Sequence, residues 1–591
     1  MFCAVHALPA STADGIPAAA AAATGAASTA QWQVCTVSDD LAVVGSARPV
    51  GLRELAELDD GGVRWVWNDT LTSYPPMLAA GLRLRASHDI SLTERILLGR
   101  ALRHGEPCSA AAVVARLNGT AVPDDPPMAL PTGVAGAGEP SLFPDPGAAP
   151  LQDVTDDGAR SLDVLVAALR DQQRRIAAEP VAGALRLLVA AESASALAAA
   201  EIGFVGLPLR ASVHEDLLTS LLGLRPRAGE RPARLAELAD EITAHFGYPV
   251  NPDSAVDLRT AFQRAGFDVT TTRAWVIKDI DHPAVPAVLQ YKELARLFTA
   301  NGWNWLRDWV SGDRFHAEYL PGGVVSGRWA ARGGGGLQIP RIARAAVLAE
   351  PGHRLVVADA AQLEPRVLAA ISRDPALEQV AATDGAGGVQ ADLYAALAAD
   401  GFGGERAQAK VAMLGAMYGA TTGESGRLLP TLRRRYPQAL AFLERAAADG
   451  EAGRSVRSVL GRASPLPGGD TAAGIHAGAL PEATAAQQSR AVQIARSWGR
   501  FTRNFVVQGS AADWASVWIA GLRRDLREVP GAELVFFQHD ELIVHVPTEL
   551  ADEVSRLTIR AADEARTLVF PGSPVATPVR PLVLECYADA K

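Results

Sequence analysis

The spacing of apolar residues changes character several times along the chain. Two short apolar runs, "FCAVHAL" and "QWQVCTV", read as opening strands, with an Ala-, Ser-, Thr- and Gly-rich loop between them from about Pro9 to Ala30. After Leu162, "LDVLVAALRDQQRRIAAE" places apolar residues three and four apart, which predicts an amphipathic helix, and helical spacing then dominates to about Asn301. Strand-type runs return near Phe315, from His353 to Ala358, and after Leu534. Two further stretches interrupt the pattern: the Pro- and Gly-rich segment from about Val122 to Gly158, and "ARGGGGLQIP", Ala331 to Pro340. The pattern predicts an α/β N-terminal domain, a long helical middle, and a mixed sheet assembled from distant segments.

Composition narrows the class. A chain of 591 residues exceeds one hydrophobic core, so about two to four domains are expected. The formal net charge of −10 excludes a protein coated in positive charge but permits a local basic cleft. Cys3, Cys35, Cys108 and Cys586 lack paired spacing, which points to neither a zinc site nor a disulfide framework and suits a reducing compartment. No uninterrupted apolar run reaches the roughly 18 residues of a membrane span. The Ala-rich start has no basic segment leading into an apolar core, so a cytoplasmic protein free of membrane is expected.

Two acidic positions stand out. "LVFFQHDELIVHVP", Leu534 to Pro547, reads as a β-hairpin whose tight turn carries His539, Asp540 and Glu541. Taken alone, such a trio is an ordinary solvated turn. "HRLVVADAAQLEPRVLAAIS" reads as a buried strand ending at Asp359, followed by a helix with Leu363, Val367 and Leu368 on its apolar face; taken alone, Asp359 is an ordinary helix cap. Together the two carboxylates could meet at one margin of a sheet, a donor set suited to Mg²⁺ and a substrate phosphate. Between them, Arg406, Lys410, Leu414 and Tyr418 recur every four residues, each about 40° around a helix from the last. That slowly drifting stripe, two cations followed by an aromatic ring, suits a triphosphate joined to a flat base.

These three segments resemble, in order and spacing, the A, B and C motifs of family A DNA polymerases. The first reads Asp359-Ala-Ala-Gln362-Leu-Glu364-Pro365-Arg366, the second Arg406, Lys410, Leu414 and Tyr418-Gly419, the third His539-Asp540-Glu541. "VVSGRWAARGGGGLQIP" is similar to a further family segment, with Arg328 and Gln338 retained, and "RFTRNFVVQGSAADW" supplies Arg500, Asn504 and Gln508. The segment from His282 looks like the family's thumb helix, and the likeness runs from about Pro180 to Lys591.

The resemblance implies a right-hand α+β polymerase over residues 181–591: thumb at about 236–315, palm at about 316–395 and 509–591, fingers at about 396–508. It implies template-directed addition of deoxynucleotides to a primer 3′ end, in replication or repair, by a cytoplasmic, nucleoid-associated monomer. Two Mg²⁺ ions, with Mn²⁺ able to substitute, would be held by Asp359, Asp540 and the Ala360 carbonyl. Lys410 would donate a proton to pyrophosphate; Arg406, Lys410, Leu414, Tyr418, Glu364, Gln362 and Tyr394 would surround the nucleotide, Glu364 excluding a 2′-hydroxyl. Arg328, Gln338, Arg500, Asn504, Gln508 and His539 would face the primer–template, and Glu541 would lie near the metals without necessarily binding them. Leu414 departs from the family's aromatic, Ala360 and Ala361 from its Tyr-Ser, and Tyr394 from the His of many relatives.

Residues 1–180 resemble in part a 3′–5′ exonuclease domain of RNase H-like type, but no Asp-x-Glu precedes Pro180, and Ser73 stands where a second metal-binding Asp is expected. Asp39-Asp40, Asp59-Asp60 and Asp124-Asp125 are expected as solvated turn acids, and Asp89 as a helix N-cap. The expectation is a degenerate domain that buttresses the polymerase. A bifunctional exonuclease–polymerase and an inactive DNA-binding paralogue are the alternatives.

Overall fold

The computed structural model describes residues 1–7, 32–126, 158–227, 229–332, 339–382, 392–419, 423–480 and 483–590. Gln338, most of the Pro- and Gly-rich stretch beyond residue 126, and the loop from Pro9 to Ala30 lie outside them.

The N-terminal region is built on five strands: β1 (Phe2–Ala7), β2 (Trp32–Val37), β3 (Arg48–Val50), β4 (Arg64–Trp67) and β5 (Ser87–Asp89), in the order β3-β2-β1-β4-β5. β1 pairs antiparallel with β2 and parallel with β4, and β4 is parallel to β5. Alternation along the strands fills two cores, as the period of two requires. Cys3, Val5, Trp65 and Trp67 face one core, while Ala4, Val66 and Cys35 face the other, which is closed by Leu162, Leu165 and Leu169. Asp89 caps α1 (Ile90–Arg100), accepting from Leu92 N, as expected.

The helix α2 (Ala182–Val205) leaves this region and enters the larger body. It is long and apolar enough, by length and composition, to cross a membrane, contrary to the expectation from uninterrupted runs. Its most apolar window is 67% buried within the protein, and Leu197 packs under the N-terminal sheet, so it serves as a core helix here. β6 (Leu207–Pro208), β7 (Val310–Ser311) and β8 (Arg314–Phe315) form a small sheet at the foot of the helices between residues 211 and 309, among them α3 (Val285–Asn301). β9 (Glu318–Leu320) and β10 (Ala330–Arg332) make a short antiparallel ribbon.

The second main sheet comprises β11 (His353–Ala360), β12 (Glu533–Gln538), β13 (Glu541–Pro547) and β14 (Val579–Leu584), ordered β12-β13-β11-β14. Every pairing in it is antiparallel, which corrects the expected mixed sheet; the mixed one is N-terminal. Parallel pairing needs a crossover returning the chain in the same direction, and here hairpin and long returns alternate direction instead.

Between β11 and β12 the chain forms α4 (Leu363–Ser372), α5 (Leu393–Gly401), α6 (Arg406–Tyr418), α7 (Pro437–Glu451) and α8 (Ala485–Leu526). A capping box between Thr484 and Gln487 starts α8, which runs 42 residues without a break. The expected division between fingers and palm at residue 508 falls inside this one helix. α9 (Ala551–Val569) packs beside it and under the sheet.

The two regions are joined by buried polar contacts. The Arg523 guanidinium, near the end of α8, meets both oxygens of Glu201 at 2.8 and 2.6 Å and donates to the Arg85 carbonyl at 3.1 Å. Tyr74 donates to Glu201 Oε1 at 2.6 Å, and Arg100 donates to the Gly461 carbonyl at 2.6 Å. Charge-assisted bonds of this kind, shielded from water, are strong and directional.

Candidate active site

The site lies where β11 ends beside the start of β13. Register pairs Asp359 with Glu541 on one side and with Arg580 of β14 on the other, so these three side chains leave one face of the sheet together. His539 and Asp540 form the two-residue turn between β12 and β13, with His539 at φ +56°. The Ala360 N–H donates to the Asp540 carbonyl at 2.9 Å, which fastens the turn to the end of β11. The hairpin and its acidic turn are as the apolar pattern predicted.

Burial, and then the neighbouring Asp359 charge, push the Asp540 carboxyl up to about 7. Two like charges in a partly desolvated corner are unfavourable unless a cation joins them. The pair therefore fits a divalent metal, with Asp359, Asp540 and the Ala360 backbone as the available oxygen set. Glu541 is 7% exposed buried polar material, and its Oε1 accepts from Tyr587 Oη at 2.8 Å, so one of its oxygens is already engaged.

Two bridges connect this corner to the helices above. Gln362, at φ +54° between β11 and α4, donates its amide to Asp392 Oδ1 at 2.8 Å and accepts from Leu393 N at 2.8 Å. Asp392 caps α5, accepting from Tyr394 N at 2.9 Å and Ala395 N at 3.2 Å. Its other oxygen holds Arg406 Nε at 2.5 Å, and the Arg406 guanidinium stands 5.7 Å from the Tyr394 ring centre. The second bridge is Glu364, on the first turn of α4. Its Oε1 pairs with Arg328 and its Oε2 accepts from Tyr418 Oη at 2.7 Å. His539 joins the group: burial and then the Arg328 charge lower its pKa.

The stripe on α6 is real. Arg406, Lys410 and Tyr418 are exposed and Leu414 is half-buried, while Ala409, Ala412, Met413, Ala416 and Met417 fill the opposite face. The helix ends at Gly419, φ +71°, where a Cβ would lie 2.8 Å from Arg500 Cγ; both the backbone and the packing demand glycine there. Arg500 thus abuts the end of the stripe. Asn504 and Gln508 follow one and two turns along α8, and Asn504 Oδ1 is buried with no hydrogen-bond partner among the described residues. Of the proposed site residues only Gln338 is not placed, being outside the described residues.

Several participants were not singled out in the sequence. Asp392 links Gln362 to Arg406; its signal was that of an N-cap, an Asp ahead of an apolar helix. Tyr587 and Arg580 come from the last strand and the turn beyond it, and no local signal ties them to Glu541 or Asp359. Arg366, matched within the first motif, is 1% exposed and donates to the Ala381 and Ala576 carbonyls at 3.0 and 3.1 Å, a structural role.

Asp39, Asp40, Asp60 and Asp124 are exposed, as expected of solvated acids, while Asp59 and Asp125 depart from that expectation by holding structural hydrogen bonds. Asp59 is 2% exposed and accepts from Trp65 Nε1 and Arg85 N, both at 2.9 Å. Asp125 accepts from Cys108 N and Ser109 N at 2.8 and 2.7 Å. Asp89 adds Thr70 N and Thr70 Oγ1 to its capping bond.

A profile of DNA polymerase family A matches residues 224–571. The chain is 26% identical over 388 residues to the thermostable DNA polymerase I of Thermus aquaticus, a match covering 59% of this chain and 43% of that protein. It is 25% identical over 377 residues to DNA polymerase I of Deinococcus radiodurans, covering 57% and 37%. The chain spans less than half the length of these curated relatives. Among solved structures, the POL domain of Pol1 from M. smegmatis, in complex with DNA primer-template and dNTP, is similar with a TM-score of 0.66 at 17% identity, covering 95% of this chain and 93% of that one. That likeness gives the fold, and the profile, which spans more than half of the residues, gives the family: the chain belongs to DNA polymerase family A.

Proposed function

We propose that the chain is a DNA-directed DNA polymerase that adds deoxynucleotides to a primer 3′ end and releases pyrophosphate. The carrying observation is the convergence of Asp359 and Asp540 beneath the cationic and aromatic stripe of α6, joined through Gln362–Asp392–Arg406 and Glu364–Tyr418. Family membership supports the same reading.

Asp359, Asp540 and the Ala360 carbonyl would hold two Mg²⁺ ions, with Mn²⁺ as a substitute. Bound there, such ions supply Lewis acidity toward the primer hydroxyl and the leaving oxygens. Arg406 and Lys410 project from one helix face and would clasp the triphosphate, Arg406 exchanging Asp392 for phosphate. Lys410 Nζ would give its proton to the departing pyrophosphate. Glu364, held between Arg328 and Tyr418, would form the wall that a 2′-hydroxyl strikes. Tyr394 and Leu414 would border the sugar and base. The unpartnered Asn504 oxygen, with Gln508, Arg500, Arg328 and His539, offers donors and acceptors to the minor-groove side of the primer–template, where acceptors recur on every base pair.

We assign residues 236–315 to a thumb, 316–395 and 509–591 to a palm, and 396–508 to fingers, acting as a monomer on primer–template DNA in the cytoplasm. The strand order β3-β2-β1-β4-β5 supports an RNase H-like reading of residues 1–180, and the structural bonds made by Asp59, Asp89 and Asp125 support a domain without nuclease chemistry. A primer-extension gel with Mg²⁺, run with and without nucleotides, tests both. Extension only with nucleotides, and no shortening without them, is expected; absence of extension would overturn the reading.

A further inference from the structure

The far end of the palm sheet carries a second cluster of metal-ligating groups. Glu350, His353 and His545 each bring one ligand atom to within 4.8 Å of the others. His353 opens β11 and Asp359 nearly closes it, so six residues at about 3.3 Å each put this cluster about 20 Å from the catalytic corner. The register pairs His353 with Pro547 and Leu355 with His545, which makes the two imidazoles diagonal neighbours on one face. Their rings stack at 4.5 Å between centres with 9° between planes.

The hydrogen bonds leave a free lone pair on His353 and on Glu350, and on His545 one held only by a long contact. His353 Nδ1 lies 3.3 Å from the Pro351 carbonyl; the N–H it directs there leaves Nε2 bare. His545, 2% exposed, takes the Glu350 backbone N–H on Nε2 at 3.3 Å, a long contact that is readily exchanged. Both of Arg314's contacts with the Glu350 carboxylate, at 2.7 and 3.1 Å, fall on Oε1, which leaves Oε2 for another partner. An imidazole anchored through its second nitrogen and a carboxylate anchored through its second oxygen are the usual surroundings of a transition-metal ligand set. Ligand bonds of about 2.0–2.2 Å require the three atoms to draw in by roughly an ångström, and the half-exposed Glu350 and His353 side chains have the freedom to do so.

We propose that Glu350, His353 and His545 bind a divalent transition ion of the zinc class, with water completing a tetrahedral shell. Two nitrogens and one oxygen suit Zn²⁺ and disfavour Mg²⁺, which takes oxygen ligands. The site clamps the palm to the foot of the thumb helices. Arg314, on β8, ties Glu350 to the carbonyls of Val205 and Gly206 at 3.4 and 3.2 Å and to Glu533 at 3.4 Å. An ion on Glu350 therefore tightens the junction of three segments that are distant in sequence.

The test is a Co²⁺ titration of the chelator-treated full chain, read by visible absorption, with Zn²⁺ displacement and thermal melting as second readouts. One equivalent of Co²⁺ should give a tetrahedral, histidine-type band that Zn²⁺ abolishes, and Zn²⁺ should raise the melting temperature. Glu350→Gln and His353→Ala, both at half-exposed positions, should weaken binding at least about tenfold and remove the thermal shift while Mg²⁺-dependent extension is unchanged. Asp540→Ala should leave the band intact. Absence of the band, its persistence in His353→Ala, or its loss in Asp540→Ala would each overturn the assignment.

Discussion

The Tyr418 hydroxyl donates to Glu364 Oε2 at 2.7 Å, joining the last residue of the α6 stripe to the first turn of the helix after Asp359. The other oxygen of Glu364 is taken by Arg328. The carboxylate that would face the sugar is thus fixed from two sides, and its position depends on both partners.

Glu364→Ala should raise ribonucleotide incorporation relative to deoxynucleotide by about tenfold or more, because it removes the wall. Tyr418→Phe, which removes one anchor and keeps the carboxylate, should raise it by a smaller factor, in line with a net hydrogen bond of about 1 kcal/mol. Paired single-turnover measurements with both sugars decide this; an unchanged ratio in Glu364→Ala removes the role.

Asp359→Ala and Asp540→Ala should each lower the extension rate by about a thousandfold or more, since a preorganised electrostatic centre is lost. Primer–template affinity should stay within about threefold, because phosphate contacts spread over many residues supply most of it. Extension within tenfold of wild type by either variant would remove the two-carboxylate assignment.

Asp392→Asn keeps an oxygen for the α5 cap and removes only the charge that holds Arg406 in the nucleotide-free protein. Exposed ion pairs contribute about 0–1 kcal/mol, so nucleotide binding should tighten by up to about fivefold. Fluorescence or stopped-flow binding reads this directly. Weaker binding would mean that Asp392 positions Arg406 for the phosphate.

A pH dependence is expected from a buried ionic group that Asp359 and Asp540 do not belong to. Arg462 sits between Glu192, at 2.8 Å, and Asp513, at 3.7 Å, all three buried, so the group carries a net negative charge. Burial pushes the Asp513 carboxyl up to about 6 despite Arg462. Its folded-state value lies above the unfolded one of about 3.9, so the stability it contributes is full below that value and falls as pH rises to about 6. Asp513→Asn should flatten this part of the melting-temperature profile and match or exceed wild type at neutral pH. A variant profile parallel to wild type across that window would contradict the shift.

Asp89→Ala should destabilise the N-terminal region by about 2–4 kcal/mol, since a cap and two further bonds to Thr70 are lost from a buried site. It should leave the degradation of a mismatched, 3′-labelled primer at the background of the wild-type protein. Wild-type shortening that disappears in Asp89→Ala would instead make this domain a working nuclease.

Local pattern and motif made much of this site legible. The hairpin with Asp540 at its turn, the buried strand ending near Asp359, the α6 stripe and the Asp89 cap all rest on residues close in sequence, where period and end signals are strong. The pieces that escaped are non-local. β14 reads "VRPLVL", with a proline that weakens any strand reading, and it owes its place to pairing with β11 more than 200 residues earlier. Tyr587 reaches Glu541 only because that pairing exists. The charge on Asp59 looked solvated because nothing nearby in sequence announces Trp65 and Arg85 as its donors.

The unbroken course of α8 has a consequence for how the chain can vary. Arg500, Asn504 and Gln508 stand on the same rod as Arg523, which is anchored to Glu201. Each residue inserted or deleted between Gln508 and Arg523 would turn the first three by about 100° and slide them about 1.5 Å relative to that anchor. Many side chains in this stretch can be exchanged for others of similar size, but their number cannot change. The interval acts as a ruler, and its length should be held constant through descent more strictly than the identities of the residues that fill it.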